Sequence, residues 1–217
     1  MTRRLQPVFF APTLQFTFVF SKVGTNIVLR VVVNMLTKYN LKHEDAVLMI
    51  IDIQEKLVPT MKYGHEVIKS TNVLIETAET FDMPIVITEQ YTKGLGKTVE
   101  NLNLMPEKSN CFEKMAFCGM TPEVEDFLRS THRKSIIITG METHICVYQT
   151  VRDLLMKGYH VYVARDGVCS RTKANFKNGL ALMAEMGAVV SNTETLMFDL
   201  LKVSGTPEFK KLSKLIK

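Results

Sequence analysis

A strand, a helix and a second strand follow one another between residues 134 and 170. Residues 136–139 are a short β-branched run closed by a glycine, which is typical of a buried strand. Apolar residues then recur at helical spacing over 144–158, and residues 161–163 begin another strand. Strands in this order are expected to be parallel and joined by a right-handed crossover. The chain is therefore restricted to folds built on a parallel sheet.

Cys146 falls in the first turn of this predicted helix, at the carboxyl end of the preceding strand. Ligands of open α/β sheets bind at that end. The unpaired N–H groups and the dipole of a helix N-terminus favour the thiolate form of a cysteine. A free cysteine on a helix is also commonly just a small buried hydrophobic residue. Position alone leaves both interpretations of Cys146 open.

The run AVLMII at residues 46–51 is apolar throughout and ends at Asp52, as a strand buried on both faces does. Residues 67–81 have the spacing of a helix, and residues 85–88 form the next strand. Strands and helices go on alternating to the C-terminus. We therefore predict an α/β fold of three layers, α/β/α, with a mostly parallel, doubly wound sheet. Asp52 and Cys146 would share one edge of that sheet.

Residues 89–110 are polar and contain glycines, and they are predicted to form a long loop that covers the site. Within this stretch, GLGKT at residues 94–98 is similar to the end of a phosphate-binding P-loop. That motif needs a glycine where Tyr91 stands, so that backbone N–H groups can wrap the phosphates. The bulky side chain opposes this wrapping. A nucleotide-binding module is a weak alternative, and a basic loop is the favoured interpretation.

The net charge of +5 is mostly local. Of the 27 basic residues, Arg3, Arg4, Lys22 and Arg30 lie in residues 1–34, which contain no acidic residue. The remaining chain has 27 − 4 = 23 basic residues against 22 acidic ones, a net charge of +1. A nucleic-acid-binding surface is therefore not expected. The length of 217 residues is enough for one domain with a sizeable core.

Residues 1–34 differ in composition from the rest, and we treat them as an N-terminal extension to a domain at 35–217. A dispensable extension is the favoured interpretation, followed by a mitochondrial presequence and then by a signal or anchor segment. The uncharged stretch at 5–21 is short and broken by prolines, so no membrane span is expected. The predicted location is cytoplasmic, with mitochondria as the alternative.

The cysteines are far apart in sequence and include no CxxC pair of the kind that binds zinc or exchanges disulfides; they are Cys111, Cys118, Cys146 and Cys169. No HExxH or other histidine motif has the spacing of metal ligands. We therefore expect a reduced compartment, no metal and no cofactor.

Four stretches in order resemble the isochorismatase-like cysteine hydrolases, and the resemblance covers about residues 41–217. They are IIDIQEKL, ITEQYTKGLGKTVENL, EKMAFCGM and ITGMETHICV. The second stretch is similar to members of the family without an assigned substrate. Each stretch is weak by itself, but the four in order are specific. The resemblance implies the three-layer fold already predicted, and a covalent hydrolase.

The resemblance also implies a catalytic triad of Asp52, Lys114 and Cys146. Asp52 would accept the thiol proton, and the charge of Lys114 would favour thiolate. A cis peptide between Met141 and Glu142 and an oxyanion hole formed by the N–H groups of Glu142 and Cys146 are implied as well.

The substrate pocket is predicted to include Gln54, Tyr91 and Met141. Metal-binding nicotinamidases carry a histidine where this chain has Gln54, which disfavours a metal and nicotinamide as substrate. The predicted function is hydrolysis of a small amide, imide or ester through an acyl-enzyme on Cys146. The alternative is a catalytically silent scaffold of the same fold. A small-molecule substrate and a homo-oligomer are the expected partners, with no nucleic acid and no membrane.

Overall fold

All strands of the central sheet point the same way, so their carboxyl ends meet at one edge. The computed structural model describes residues 36–216, and the six strands in this part of the chain pair in parallel. They are β1 (Ala46–Ile51), β2 (Ile85–Gln90), β3 (Ser109–Lys114), β4 (Ser135–Met141), β5 (His160–Cys169) and β6 (Val189–Ser191). Their order across the sheet is β3-β2-β1-β4-β5-β6. The chain winds outward from β1 and then outward from β4 on the other side, which confirms the doubly wound sheet.

Helices cover both faces of the sheet. The α-helices of the described chain are α1 (Gly64–Thr80), α2 (Thr92–Leu95), α3 (Pro122–Ser130), α4 (Tyr148–Met156), α5 (Lys173–Glu185), α6 (Thr193–Leu201) and α7 (Pro207–Leu212). One apolar cluster joins the sheet to α1 and α6. A second cluster joins the opposite face to α3, α4 and α5. The predicted three-layer α/β/α architecture is therefore confirmed.

The apolar sequence of β1 follows from its place in the middle of the sheet. Leu48 and Ile50 pack in the first cluster, and Met49 and Ile51 pack in the second. None of these side chains is exposed. A central strand of a parallel sheet must be apolar on both faces, because helices cover both.

The strand β3 is a departure from the loop predicted over residues 89–110. In the structure β2 runs on to Gln90, α2 follows, and β3 pairs with β2 from Ser109 onward. The sequence SNCFEK of β3 is largely polar and partly exposed. An edge strand pairs on one side only, so it lacks the apolar run by which buried strands are recognised.

The helix predicted to start near His144 begins with an unusual turn. Residues Thr143–Val147 form a π-helix, and α4 continues from Tyr148. Such wide turns are rare and occur frequently at functional sites.

The extension predicted at residues 1–34 lies outside the described residues. Within 36–216, no helix has the length and apolar character that crossing a membrane requires.

Candidate active site

Asp52 stands directly after β1, which lies beside β4 at the point where the winding of the sheet changes direction. Its φ angle is 53°, in the left-handed region that aspartate tolerates better than most residues. The Asp52 N–H continues the ladder to β2 by donating to the carbonyl of Thr88. On the other side, Gly140 of β4 lies so close that an added Cβ would be 2.1 Å from the Ile51 carbonyl oxygen. The Asp52 carboxylate is thereby held fully buried at the edge where ligands of such sheets bind.

Lys114 forms a buried ion pair with Asp52. Its Nζ lies 2.7 Å from Asp52 Oδ2, and neither side chain is exposed. The same ammonium group donates to Gln90 Oε1 at 2.7 Å, and it lies near the carbonyls of Ala116 and Phe117 at 3.3 and 3.2 Å. A buried charge needs such a set of acceptors, because water is not available to replace them. The last pair of the β2–β3 register joins Gln90 to Lys114, which brings the ammonium group to this place.

Thr88 and Gln90 are site residues that the sequence did not reveal. Thr88 donates from Oγ1 to Asp52 Oδ1 at 2.7 Å, and it is fully buried. Gln90 binds Lys114 through Oε1 and donates from Nε2 to the Met115 carbonyl at 2.8 Å. Both are polar residues on a strand that is buried along its whole length, spaced two apart so that they share one face. Buried polar residues at the end of an apolar strand are the signal that could have identified them.

Cys146 lies in the π-turn with 7% of its surface exposed, and its thiol interacts with Asp52. Burial raises the pKa of the thiol to about 12; the Asp52 charge adds to this shift and Lys114 opposes it. The helix N-terminus and Lys114 were expected to favour thiolate, but burial and the Asp52 charge oppose them, so the thiol is the resting form in this account. Burial also raises the pKa of Asp52, against the charge of Lys114 and the hydrogen bonds from Lys114, Thr88 and Cys146. Depth of burial, which the helix-dipole argument ignored, outweighs the neighbouring cation.

Thr150 ties the turn of Cys146 to the segment that follows Lys114. Its Oγ1 donates to the Cys146 carbonyl at 2.6 Å and accepts from the Gly119 N–H at 2.8 Å. Thr150 is fully buried. The backbone that carries the thiol and the backbone that carries the ammonium group are thus connected through one hydroxyl.

The cis peptide implied between Met141 and Glu142 is present. The Glu142 carboxylate accepts from the N–H of Arg171 at 2.9 Å and from its Nε at 3.1 Å. This pair holds the backbone of the turn just before the π-helix. The oxyanion hole expected from the N–H groups of Glu142 and Cys146 stays a prediction.

The three residues expected in a substrate pocket are placed differently from one another. Tyr91 is 48% exposed, whereas Gln54 and Met141 are fully buried, Met141 within an apolar cluster. Gln54 donates from Nε2 to the carbonyls of Gln90 and Gly96 at 3.0 and 2.7 Å, and its Oε1 accepts from the Gln90 N–H at 2.8 Å. In the structure Gln54 holds the loop containing GLGKT against β2. Pocket roles for these residues remain predictions.

The lysine of GLGKT is engaged by carboxylates. Lys97 Nζ lies 3.1 Å from Glu89 and 2.8 Å from Glu113, two acidic residues paired across β2 and β3. The N–H of Thr98 donates to Glu89 at 2.7 Å. This segment neutralises neighbouring carboxylates, which explains its basic composition without a nucleotide.

Over residues 36–216, no three His, Cys, Asp or Glu side chains are grouped so that they could hold a metal ion. Independence from metal stays a prediction.

Comparison with known proteins identifies the family and agrees with the fold. The isochorismatase domain family matches residues 46–195. The secreted isochorismatase effector Isc1 of Phytophthora sojae is 39% identical over 177 residues, covering 79% of this chain and 84% of the effector. A structure described as MAR1 ribonuclease from Caenorhabditis elegans is 35% identical, with a TM-score of 0.78, covering 82% of this chain and 92% of that one.

A more distant structure, the YcaC protein of Escherichia coli, is described as an octameric hydrolase of unknown specificity. It is 18% identical with a TM-score of 0.72, covering 81% of this chain and 90% of that one, so it shares the fold. The family match spans most of the described residues and includes Asp52, Lys114 and Cys146. The chain belongs to the isochorismatase family.

Proposed function

We propose that this protein is a cysteine hydrolase that acts on a small amide, imide or ester through a covalent acyl-enzyme on Cys146. The observation that supports it most directly is the electrostatic interaction of the buried Cys146 thiol with a buried carboxylate that is itself paired with Lys114. A nucleophile beside a base that a third group orients is the arrangement used in covalent catalysis.

In the proposed reaction, Cys146 Sγ attacks the carbonyl carbon while its proton moves to Asp52. The carbonyl π electrons move to the oxygen, which the N–H groups of Glu142 and Cys146 would stabilise. Collapse of this intermediate reforms the carbonyl and breaks the C–N or C–O bond, and Asp52 returns the proton to the leaving amine or alcohol. Water then attacks the thioester, with Asp52 again taking a proton. The released thiolate recovers that proton, which restores the starting state.

Lys114 has an indirect part in this proposal. Burial raises the pKa of the Asp52 carboxyl, and the positive charge of Lys114 limits this rise. Its ammonium group touches Asp52 and Gln90, and the positive charge also offsets the thiolate charge that develops on Cys146. The proposal therefore uses a thiol that becomes nucleophilic during the attack, rather than a standing thiolate.

The structure described as a ribonuclease gives a reason to test a second activity, RNA cleavage. In ribonucleases that use the RNA 2′-hydroxyl as the nucleophile, no cysteine adduct would form. The net charge of only +1 over residues 35–217 offers little general attraction for a polyanion. We therefore favour the small-molecule hydrolase and include RNA as a substrate in its test.

A homo-oligomer in the cytoplasm is part of the proposal, and the octameric hydrolase of the same fold supports the assembly. Light scattering at micromolar concentration measures it directly. A mass equal to that of one chain of 24.7 kDa would contradict the oligomer while leaving the chemistry open.

The experiment that tests the function is hydrolysis of a panel of small amides, imides, esters and an RNA oligonucleotide by the wild type, Cys146→Ala and Cys146→Ser. We expect turnover of at least one amide, imide or ester, and its loss in both variants with the fold preserved. Turnover of RNA that survives Cys146→Ala would support the nuclease. No turnover of any compound, with no adduct on Cys146, would support the silent scaffold.

A further inference from the structure

A second cleft opens at the carboxyl edge of the sheet, beyond β5 and β6. Its volume is about 840 Å³, which is within the range of small-molecule sites. The end of β5, the start of α5 and the residues that lead into α1 surround it. None of Asp52, Lys114 and Cys146 lines it. The cleft is therefore not formed by the proposed catalytic residues.

Cationic side chains line this cleft. Five of its lining residues are basic, and two, Glu66 and Asp166, are acidic, which gives a net charge of 5 − 2 = +3; the basic ones are Lys62, Arg165, Arg171, Lys173 and Lys177. Residues 35–217 together carry only +1, so the rest of that range sums to −2. The positive charge of the domain is thus concentrated in one concave site, where it attracts anions most strongly.

Most of these cations have no carboxylate partner. The salt bridges formed within residues 36–216 include Arg171, through Glu142, and do not include Lys62, Arg165, Lys173 or Lys177. Of the two acidic lining residues, Asp166 binds Thr193 rather than one of these cations: its carboxylate accepts from the N–H and hydroxyl of Thr193 at 2.8 and 2.9 Å. The cleft therefore retains positive charge that its own acidic residues do not neutralise.

The floor of the cleft is apolar. Cys169 and Leu180 are buried, with 3% and 9% of their surface exposed, and Phe176 is half-buried beside them. The ring of Tyr63 also lines the cleft, beneath the ammonium group of Lys62. Cations at the rim and an apolar or aromatic floor suit a ligand that has an anionic group on an apolar body.

We propose that this cleft is a binding site for a small phosphorylated molecule with an aromatic or aliphatic body. A phosphate dianion carries more charge than a carboxylate and so matches a cleft lined by several cations better, and a guanidinium group such as that of Arg165 binds phosphate oxygens in pairs. The inference does not depend on the chemistry of Cys146. Two residues of this cleft contact the segment that carries Cys146: Ser170 forms a hydrogen bond with His144, and Arg171 binds Glu142. The cleft and the proposed hydrolase site are therefore neighbours.

The test is a calorimetric titration of the full chain with phenyl phosphate. We expect saturable binding of one molecule per chain, equal in the wild type and in Cys146→Ala. The double variant Arg165→Ala with Lys177→Ala should bind at least about tenfold more weakly. The control, Lys56→Ala with Lys210→Ala, makes the same change of net charge at exposed residues outside the cleft and should bind like the wild type.

Inorganic phosphate lacks the apolar body of the ligand, and benzoate has a carboxylate in place of the phosphate. Both should bind more weakly than phenyl phosphate. Equal weakening in the cleft variant and the control, loss of binding in Cys146→Ala, or no saturable binding would overturn the proposal. If inorganic phosphate bound as tightly as phenyl phosphate, the proposed apolar body of the ligand would be wrong. If an RNA oligonucleotide alone bound saturably, the proposal of a small-molecule ligand would be wrong. If the double variant did not fold, the single variant Lys177→Ala, on an exposed helical position, must still weaken binding.

Discussion

The Nζ of Lys114 lies 2.7 Å from Oδ2 of Asp52, although the two residues are 62 positions apart and neither side chain is exposed. The contact forms because β1 and β3 flank β2 and end at the same edge of the sheet. A buried ion pair adds little net stability compared with apolar residues of equal size, but removing one partner leaves an uncompensated charge. The pair is therefore weak evidence for stability, and the proposed function gives it a role beside Cys146.

Breaking this pair should destabilise the protein and impair its chemistry together. Lys114→Ala and Asp52→Asn should each lower the free energy of unfolding by about 3–5 kcal/mol, since each leaves a buried charge or carboxyl without its partner. The double variant Lys114→Met with Asp52→Leu should lose less than the sum of the single effects. Urea denaturation measures all of these. Arg129→Ala, which removes an exposed ion pair with Asp126 in α3, is the control and should change stability far less. Additive losses in the double variant would contradict the buried-pair account.

The reactivity of Cys146 should depend on pH through Asp52. Burial raises the pKa of Asp52 above its usual 3.8, and the pKa of the Cys146 thiol is raised to about 12. The attacking form has an ionised Asp52 and a protonated thiol, so acylation should increase as pH rises through the pKa of Asp52. It should then stay nearly constant until the thiol itself ionises.

Alkylation by iodoacetamide with peptide mapping checks this expectation. Cys111, whose pKa is raised to about 11 by burial and by Glu89, should react about tenfold faster for each pH unit across the neutral range. Cys146 should show a plateau at pH values above the pKa of Asp52, and Asp52→Asn should abolish the plateau. A Cys146 rate that runs parallel to that of Cys111 would mean that Asp52 is not its base.

Thr88 should set the pH at which Asp52 ionises. Thr88→Val removes the hydrogen bond to Asp52 Oδ1 with little change in shape, so the pKa of Asp52 should rise further. A hydrogen bond to a charged group is worth about 1.5–3 kcal/mol, which corresponds to about one to two pH units in the acidic limb of acylation. Thr88→Ser should restore the wild-type limb. Thr77→Val loses a buried hydrogen bond to the Val73 carbonyl in α1 and should leave the limb unchanged. Equal shifts in both variants would indicate a general loss of stability.

Gly140 should be required for the packing of β4 against β1. Its φ is 133°, and an added Cβ would meet the Ile51 carbonyl oxygen at 2.1 Å, directly before Asp52. Gly140→Ala should therefore prevent folding or lower stability by more than about 3 kcal/mol, as clashes with backbone do. Gly158→Ala is the control, with φ at 79° and no neighbouring atom within 4 Å, and should lower stability by about 1 kcal/mol. Thermal denaturation of both variants measures the difference, and equal losses would refute it.

The apolar strands were predictable because a strand that is buried on both faces has a continuous run of apolar residues in the sequence. The run at 46–51 gave β1 with its correct ends, and therefore the place of Asp52. The edge strand β3 was missed, since a strand with one free edge needs no apolar run. Lys114 was predicted as a site residue from the family resemblance alone, and the structure adds that it ends this strand and pairs with Asp52.

The supporting residues of the site could not be derived from sequence, because they depend on register between strands. Thr88 meets Asp52, and Gln90 meets Lys114, only through the alignment of β2 with its two neighbours. The protonation state of Cys146 depends on its surroundings in the same way. The helix-dipole argument used the position of Cys146 along the chain, whereas burial against Asp52 decides its pKa.

The most direct test of the account is intact-mass measurement of an acyl adduct during single turnover with a small activated ester and with amides of the panel. We expect a mass increase equal to the acyl group, mapped to Cys146, formed by the wild type and absent from Cys146→Ala. Asp52→Asn should form it on the order of a hundredfold more slowly, the usual scale for loss of a general base. Hydrolysis that proceeds at an unchanged rate in Cys146→Ala, or an adduct that maps to Cys111, Cys118 or Cys169, would contradict the account.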